Sequence, residues 1–508
     1  MAERPFEPSR PWPAQLAGGI ASRLDLLAVV LLVLSAGWLR ATLQDRAPLF
    51  IHADSTDYYL PAYGLARGSG FDLLIYRTPG YPLFVALIVW LLGEDLQAIG
   101  AVQHGLGVLV AVLAYLIGRD LFGRLAGLLA GLLAALSAPL LVFEHTLMPE
   151  TLFGLSITLA IWLAIRGLQR GSRWSLVGAG LALGLAYQCR PSALAIVPAA
   201  WLGLLLQPGG RRRLAQAGLL TLGFLAFAAP GFVWNRVRHG ESAPVMGEFL
   251  YARVARHNVG FELPPVDSPA PTADPRQAAA RRMILEYAWR DPPAPAAVVS
   301  DRLQEALGLS QAEADRALRA FGLEVLLPQR DRYLRGALAD FRDIMEGDPV
   351  GLPLYAWSNV KRRKDWQDNS SIAHVLKPPT DAQRDERPAA ERLIERLFQP
   401  ARHRTLLGGL ILLAVIAAIV RPAYRPALLP LLSALAVVLL SAALIGDVSR
   451  YRYPVDPLLY VLAAGGVGVA LAAALGLARR LPVLRGRAGE GRREELATAK
   501  AEAPGQPA

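Results

Sequence analysis

The sequence predicts an all-α, multi-pass membrane protein with about ten transmembrane helices and a mostly helical insertion on one side of the membrane. Apolar residues make up 53% of its 508 residues, and the mean hydropathy is +0.32. They occur in runs of about 20 residues, the length that crosses the hydrocarbon core of a bilayer. The net charge of +11 comes from arginine clusters between these runs, where basic residues meet lipid headgroups. This distribution argues against nucleic acid as a partner.

The ten predicted spans come from eight clear runs and one interrupted run. The eight runs lie near residues 24–44, 98–118, 124–143, 147–167, 214–234, 405–420, 427–446 and 454–478. The apolar stretch 174–207 is interrupted at Arg190-Pro191, and a cation beside a helix breaker predicts a turn between two shorter spans. The run 79–93 has about 15 residues, which is short for a span.

The distribution of basic loops decides whether that short run crosses the membrane. Arg4, Arg10 and Arg23 predict a cytoplasmic amino terminus, residues 1–23. If 79–93 is re-entrant or interfacial, every later basic loop lies inside; if it spans, every one lies outside. We therefore expect it not to span, and we expect the tail 479–508 to be cytoplasmic and disordered.

This orientation places the polar segments between spans on the outer side of the membrane. They are residues 45–97, 144–149, 188–191, 235–404 and 446–453. The spans then divide into a core at 24–234 and a carboxy-terminal group at 405–478, with 235–404 as an outer domain. Helical periodicity is visible at 300–346, whereas 262–275, 291–296 and 361–387 are rich in proline or polar residues and predict loops.

The only cysteine, Cys189, excludes an intrachain disulfide and a cysteine-based zinc site within this chain. The sequence predicts no metal site and no cofactor.

The first outer loop holds the most informative polar residues. If residues 54–66 form a helix along the membrane surface, Asp54, Asp57 and Tyr58 share one face, and Arg77 follows in the same loop. A carboxylate there is suited to act as a general base. The alternative is that Asp54 or Asp57 only caps the helix.

Two shorter outer segments add further charged residues. Glu144, His145 and Glu150 lie where two spans meet the surface, although a helix dipole accounts equally for Glu150, and an interfacial position for Glu144 and His145. Arg450 and Arg452 lie among tyrosines in the last outer loop, and Arg190 lies in a neighbouring turn. Guanidinium groups match phosphate oxygens, so these arginines predict a phosphate site unless they only extend toward lipid headgroups.

These motifs, in their order along the chain, resemble a known family. The chain has Asp-Ser-x-x-Tyr from Asp54, Arg-Thr-Pro-Gly-Tyr-Pro-Leu-Phe from Arg77, Gly-Arg-Asp-Leu-Phe-Gly-Arg from Gly118, Met-Pro-Glu at 148–150, Arg-Pro at 190–191 and Arg-Tyr-Arg-Tyr-Pro at 450–454. It is similar to the polytopic glycosyltransferases of the C-type fold, and within them to bacterial relatives of protein O-mannosyltransferases and of the lipid A aminoarabinose transferase. The likeness covers 24–234 and 405–478.

The resemblance implies a polyprenyl-phosphate-linked sugar as donor and transfer without nucleotide sugar or metal. It makes Asp54 the catalytic residue and Glu150 a second catalytic acid, with Arg450 and Arg452 at the donor phosphate. Asp57, Tyr58, Arg77, Glu144, His145 and Arg190 are expected to bind substrate. The chain departs from its relatives at Ser55, where they often have glutamate, and at Arg77-Thr78-Pro79, where the aminoarabinose enzymes have lysine-Pro-Pro.

The predicted function is inverting sugar transfer on the outer face of a bacterial inner membrane. The partners are the lipid-linked donor, membrane lipids and an envelope acceptor, which is lipid A, a glycan, another lipid or a protein. Two alternatives share the topology: a polymerase or ligase that uses diphosphate-linked glycans, and a non-catalytic transporter of lipid-linked glycans. The few charged residues inside the spans favour the enzyme over the transporter.

Overall fold

The protein is helical throughout the part that its structure, a computed structural model, describes. That part comprises residues 12–44, 49, 54–74, 77–239, 246–255, 260–346, 403–446 and 449–475, and it contains no β-strand. The polar run 361–387 and the tail 479–508, predicted as a loop and as disordered, lie outside these ranges.

Ten helices form nearly the first half of the chain. They are α1 (Trp12–Gln44), α2 (Ser55–Ala66), α3 (Gly80–Leu92), α4 (Leu96–Phe122), α5 (Arg124–Leu136), α6 (Ala138–Glu144), α7 (Glu150–Arg170), α8 (Arg173–Cys189), α9 (Ile196–Leu205) and α10 (Arg211–His239). A 3-10 turn at Pro191–Ala195 joins α8 to α9. The predicted break at Arg190-Pro191 is therefore where α8 ends.

Five further helices form the described part of the insertion, and three return to the membrane. The insertion has α11 (Met246–Ala255), α12 (Pro275–Ala288), α13 (Ala296–Leu307), α14 (Gln311–Leu326) and α15 (Arg330–Glu346). The carboxy-terminal group has α16 (Arg404–Val420), α17 (Leu428–Leu444) and α18 (456–475).

Six segments in the described ranges are long and apolar enough to cross a membrane, or seven when a bent pair counts as one span. They are Arg23–Gln44, Leu96–Phe122, Glu150–Arg170, Arg211–Trp234, Pro422–Leu444 and Tyr453–Leu475, with α5 and α6 as the bent pair. The fold class is confirmed, but the count of ten spans is not. The other four predicted spans form shorter or broken helices: α8, α16, the segment Pro191–Leu205 and the α5–α6 pair.

The bend between α5 and α6 has a local cause. Ser137 has an extended backbone between the two helices, and Pro139 lies in the first turn of α6. Proline has no N–H to continue the hydrogen bonds of the preceding helix, so the apolar run 124–143 forms two helices at an angle of 52°.

Small residues allow the spans to pack closely. A Cβ atom on Gly180 would lie 2.0 Å from the carbonyl oxygen of Leu220, and one on Gly223 would lie 2.2 Å from that of Val177. Helices α8 and α10 therefore meet backbone to backbone, as membrane helices do at glycine positions.

The insertion has its own apolar core, separate from that of the spans. Residues of α11 to α14 form it, including Tyr251, Ile284, Leu303 and Phe321. Helix α15 differs, because its buried Ile344 belongs to the core of the spans. This helix therefore joins the insertion to the membrane-spanning part.

Candidate active site

Two acidic residues at the start of α2 meet arginines from two other segments. Arg77 Nη2 lies 2.7 Å from Asp57 Oδ2 and 3.2 Å from Asp54 Oδ1. From the turn before α18, Arg450 Nη2 lies 3.1 Å from the other oxygen of Asp54. The Asp54 carboxylate thus lies between two guanidinium groups that are far apart in sequence. Its side chain keeps 27% of its surface exposed, so a substrate can reach it.

The Asp54 carboxylate does not cap its helix. Asp54 occupies the N-cap position of α2, but its side chain accepts no hydrogen bond from the first-turn N–H groups. A pure capping role, the alternative left open by the sequence, does not describe this residue.

Tyr58 links the first loop to the rest of the site. Its hydroxyl accepts a hydrogen bond of 3.0 Å from Arg77 Nη1, and the Arg77 guanidinium lies 4.8 Å from the centre of its ring. Burial raises the pKa of Tyr58, although the charges of Arg77 and Arg190 oppose that shift. Tyr58 therefore stays neutral and keeps a hydroxyl that can donate to an anion.

Both arginines beside Asp54 keep their charge despite partial burial. Desolvation lowers the pKa of Arg77, but Tyr58, Asp54 and Asp57 raise it by more, so the net shift is upward. The pKa of Arg450 is likewise raised by Tyr451, Glu150 and Asp54 against the effect of desolvation. The site therefore presents permanent positive charge to a ligand.

Glu150 supplies a second carboxylate, close enough to Tyr58 to interact with it electrostatically. It is the first residue of α7, and its Oε1 lies 2.5 Å from Arg190 Nη2 at the end of α8. The ring of Tyr451 lies between Arg190 and Arg450, at 4.8 Å and 5.3 Å from the two guanidinium carbons. Glu150 is 2% exposed, and its Oε2 has no hydrogen-bond partner among the described residues. This contact with a charged partner goes beyond a helix-dipole role.

Glu144 and His145 lie in a buried polar network rather than at the lipid interface. Arg40 of α1 holds Glu144 through two contacts of 2.7 Å, and His104 Nδ1 lies 3.0 Å from Glu144 Oε2. The other ring nitrogen of His104 lies 3.0 Å from His145 Nδ1. The bent α5–α6 pair carries both side chains into the protein, so the interfacial position, which was the alternative to substrate binding, does not describe them.

The buried network reaches the acidic residues through the backbone of 144–149. Gln103 Nε2 donates to the carbonyl oxygens of Glu144 and Thr146 at 2.9 Å and 2.8 Å, and Tyr81 donates to Gln103. Ser55, the neighbour of Asp54, donates to the Leu147 carbonyl oxygen at 2.8 Å. The loop that ends at Glu150 is thus fixed to the helix that begins beside Asp54.

Arg452 points away from these residues. It is 3% exposed, its Nε lies 2.9 Å from Asp456, and its Nη1 lies 2.6 Å and 3.2 Å from the carbonyl oxygens of Met345 and Ile344 at the end of α15. Arg450 and Arg452 are two residues apart but have different neighbours: Arg450 contacts Asp54, whereas Arg452 contacts Asp456 and the end of α15.

The structure brings together most of the predicted site residues and adds others. Asp54, Asp57, Tyr58, Arg77 and Arg450 are in direct contact, and Glu150 and Arg190 join them across Tyr451. Arg40, Gln103 and His104 were not predicted as site residues. For Arg40 the sequence does contain a signal, because a charged residue inside an apolar span is rare and often functional. Within the described ranges no three His, Cys, Asp or Glu side chains are grouped as ligands for a metal ion.

Comparison with known protein families gives one match, over part of the chain. Residues 76–234, less than half of the chain, match the family model described as dolichyl-phosphate-mannose-protein mannosyltransferase. A search of curated proteins gave no match.

Several solved membrane proteins are similar over most of the chain. ArnT from Cupriavidus metallidurans bound to undecaprenyl phosphate is 16% identical with a TM-score of 0.40, over 89% of this chain and 79% of that one. The apo oligosaccharyltransferase of Archaeoglobus fulgidus is 13% identical with a TM-score of 0.46, over 90% of this chain and 52% of that one. AglB from the same organism, in complex with an inhibitory peptide and a dolichol-phosphate, is 14% identical with a TM-score of 0.45, over 90% and 51%. The chain spans about half the length of the archaeal proteins.

The apolar spans indicate a multi-pass membrane protein, and residues 76–234 are similar to the family of dolichyl-phosphate-mannose-protein mannosyltransferases. This match over part of the chain agrees with the resemblance that the motifs predicted.

Proposed function

We propose that this protein transfers a sugar from a polyprenyl-phosphate donor to an acceptor hydroxyl with inversion at the anomeric carbon. The observation that carries the proposal is the Asp54 carboxylate between Arg77 and Arg450, at 3.2 Å and 3.1 Å. Such transfer needs a base for the acceptor proton and positive charge for the departing phosphate. Asp54 can supply the base, and Arg77 and Arg450 the positive charge, at one partly exposed site.

In the proposed reaction Asp54 takes the proton of the acceptor hydroxyl as its oxygen attacks the anomeric carbon. The bond from that carbon to the phosphate oxygen breaks, and its electrons leave with the polyprenyl phosphate. Arg77 and Arg450 stabilise the charge that develops on the phosphate, and the Tyr58 hydroxyl is placed to donate a hydrogen bond to it. A positioned general base contributes about 10²–10⁴-fold to rate.

The two arginines serve both partners of the reaction. Without donor they neutralise Asp54, which weakens a carboxylate as a base. A bound phosphate competes for the same guanidinium groups, since arginine forks match phosphate oxygens. Donor binding therefore draws positive charge away from Asp54 and raises its basicity when it is needed.

Glu150 and Arg190 complete the proposed site as a second ion pair. Glu150 orients Arg190 toward Tyr451 and hence toward Arg450. Arg452, by contrast, is assigned to holding α15 rather than to the donor phosphate, because its contacts are with Asp456 and main-chain carbonyls.

A donor assay tests the proposal and separates it from the two alternatives. Purified protein in detergent receives sugar-labelled polyprenyl-phosphate donors, or polyprenyl-diphosphate glycans, together with an envelope fraction as acceptor. We expect label to leave the monophosphate donor and free polyprenyl phosphate to appear. Consumption of the diphosphate donor alone would assign a polymerase or ligase, and binding without turnover of either donor would assign a transporter or binding protein.

The expected outer-face location in a bacterial inner membrane is part of the proposal. It is supported by the basic loops described above and by the apolar spans. The acceptor is then a molecule of the cell envelope.

A further inference from the structure

We propose that Gln103, a buried residue of α4, is a positioning residue for the sugar transfer proposed above. It holds the segment 144–149, and through that segment it sets the place of Glu150 relative to Asp54. The effect on the reaction rests on the proposed function, whereas the effect on the segment can be measured without any turnover. Gln103 acts through Glu150 and is assigned no contact with a substrate.

The segment 144–149 is a loop that solvent does not reach. His145, Leu147 and Met148 are fully buried, and Thr146 is nearly so. A connecting loop usually lies at the surface, where water pairs with its peptide groups, because an unpaired peptide group is costly to bury. The carbonyl groups of this loop therefore depend on side chains from other helices.

Gln103 pairs two of these carbonyl groups at once. Its Nε2 donates to the carbonyl oxygens of Glu144 and Thr146, at 2.9 Å and 2.8 Å. The Glu144 carbonyl belongs to the last turn of α6, where hydrogen bonding within the helix ends and another donor is needed. Both hydrogens of the amide therefore have an acceptor in the same loop.

A third contact fixes the orientation of the Gln103 amide. Carbonyl oxygens can only accept, so the NH₂ group has to face the loop. Oε1 accepts a hydrogen bond of 2.8 Å from the hydroxyl of Tyr81 on α3. Gln103 and Tyr81 are both fully buried. The amide therefore cannot turn over without losing its hydrogen bonds to α3 and to the loop.

Ser55 holds the same loop from the side of Asp54. Its hydroxyl donates to the carbonyl oxygen of Leu147, and Ser55 directly follows Asp54 in the chain. The loop leads into Glu150, the first residue of α7. The path of the loop therefore sets the separation of the two carboxylates, and Gln103 holds this path from α4.

A displacement of Glu150 would reach the side of the site proposed to bind donor phosphate. Glu150 contacts Arg190, whose guanidinium lies over the ring of Tyr451, and that ring also contacts Arg450. A misplacement of about 1 Å in an active site can lower the rate by about 10²-fold. Loss of the Gln103 contacts should therefore lower kcat more than it raises the donor KM.

The isosteric substitution Gln103→Glu tests the proposal. It replaces the donating NH₂ group by an oxygen that faces two carbonyl oxygens and cannot donate to both. Gln207→Glu is the matched control, because the Gln207 amide is also buried and also donates to two carbonyl oxygens, those of Gly203 and Arg425. Gln207 lies just beyond the end of α9, outside the candidate site. Deuterium exchange in nanodiscs reports on the loop, and steady-state kinetics with the polyprenyl-phosphate donor report on the reaction.

In Gln103→Glu we expect several-fold faster amide exchange at 145–148 and a kcat that is at least about 10-fold lower, with a smaller change in the donor KM. Gln207→Glu should lower the thermal unfolding midpoint to a similar extent and change neither exchange at 145–148 nor kcat. Unchanged exchange or unchanged kcat in Gln103→Glu would overturn the proposal. An equal fall of kcat in Gln207→Glu would also overturn it, because the effect would then be general destabilisation.

Tyr81→Phe is a milder variant that keeps the test decisive if Gln103→Glu does not fold. It retains the ring and removes only the hydroxyl that orients the amide. We expect the same changes at smaller size, and their absence would overturn the proposal. A wild-type protein that transfers no sugar would contradict the proposed function, and the exchange measurement alone would then decide whether Gln103 holds the loop.

Discussion

At the scale of single residues, the Asp54 carboxylate decides whether this site is catalytic. Asp54→Asn keeps the shape of the side chain but removes its basicity, so we expect turnover to fall at least about 10²-fold while donor binding survives. Asp57→Asn is the matched control, since Asp57 is in the same helix turn and shares Arg77. Single-turnover kinetics together with a donor-binding assay measure both effects. Near-normal transfer by Asp54→Asn with loss in Asp57→Asn would reverse the assignment, and normal transfer by both would move the base to Glu150.

Arg450 offers a second test at the residue scale, directed at the leaving phosphate. Arg450→Ala should raise the donor KM and lower kcat, and Arg450→Lys should recover only part of the loss because an ammonium lacks the planar fork. Arg67→Ala is the control, since Arg67 is exposed at the end of α2 and its described side-chain contacts are with Glu94 and the ring of Tyr63, outside the candidate site. Unchanged donor kinetics in Arg450→Ala would return this residue to a contact with lipid headgroups.

Residue-level prediction from the sequence succeeded where residues are close in the chain and failed where burial depends on distant helices. Asp54, Asp57 and Tyr58 share a helix turn, so their common face follows from periodicity. Arg450 could be placed on the same side of the membrane, but its contact with Asp54 depends on how α2 and the turn before α18 pack. Arg452 has the same residue type and nearly the same position, and only the structure separates its role from that of Arg450.

At the scale of elements, α4 contains a glycine that makes room for the buried network. A Cβ atom on Gly107 would lie 2.0 Å from Glu144 Oε1, so Gly107→Ala should displace Glu144 and leave the guanidinium of Arg40 unpaired. Breaking a buried ion pair costs about 3–5 kcal/mol. Gly105→Ala is the matched control on the same helix, because nothing lies within 4 Å of its added Cβ and alanine favours helix.

Thermal unfolding in detergent distinguishes the two alanine variants. We expect a clearly lower midpoint for Gly107→Ala and an unchanged or slightly higher one for Gly105→Ala. Equal midpoints would mean that Glu144 can leave its place at little cost. The network of Arg40, Glu144 and His104 would then not be a fixed part of the fold.

The observed helix boundaries show which breaks in an apolar run can be predicted from the sequence and which cannot. The break at Arg190-Pro191 was predicted because a proline and a charge interrupt an apolar run. The bend at Ser137 was not, because an apolar count treats 124–143 as continuous although Pro139 is present. That bend carries Glu144 and His145 inward, so their burial could not be predicted without it.

At the scale of the whole molecule, the helical membrane fold follows from composition, whereas the number of spans does not. Apolar runs give segments that can enter a bilayer, but α3, α16 and Pro191–Leu205 are shorter than a full span. Whether a short helix crosses depends on its neighbours and on local bilayer thickness. The insertion was predicted as helical from its periodicity, but its separate core and the attachment of α15 to the spans required the structure.

Orientation in the membrane is the remaining whole-molecule prediction. The basic loops predict that the insertion is outside and that the turn between α7 and α8 is inside. In a Cys189→Ser background, Asp267→Cys reports on the insertion and Trp174→Cys on that turn; both native side chains are well exposed, at 89% and 84%.

An impermeant thiol reagent should label position 267 but not 174 in intact spheroplasts, and both positions after permeabilisation. Labelling of 174 alone in intact spheroplasts would invert the topology and move the proposed site to the cytoplasmic face. Labelling of both in intact spheroplasts would mean that an even number of crossings separates positions 174 and 267, so α8, α9 and α10 would not all span the membrane.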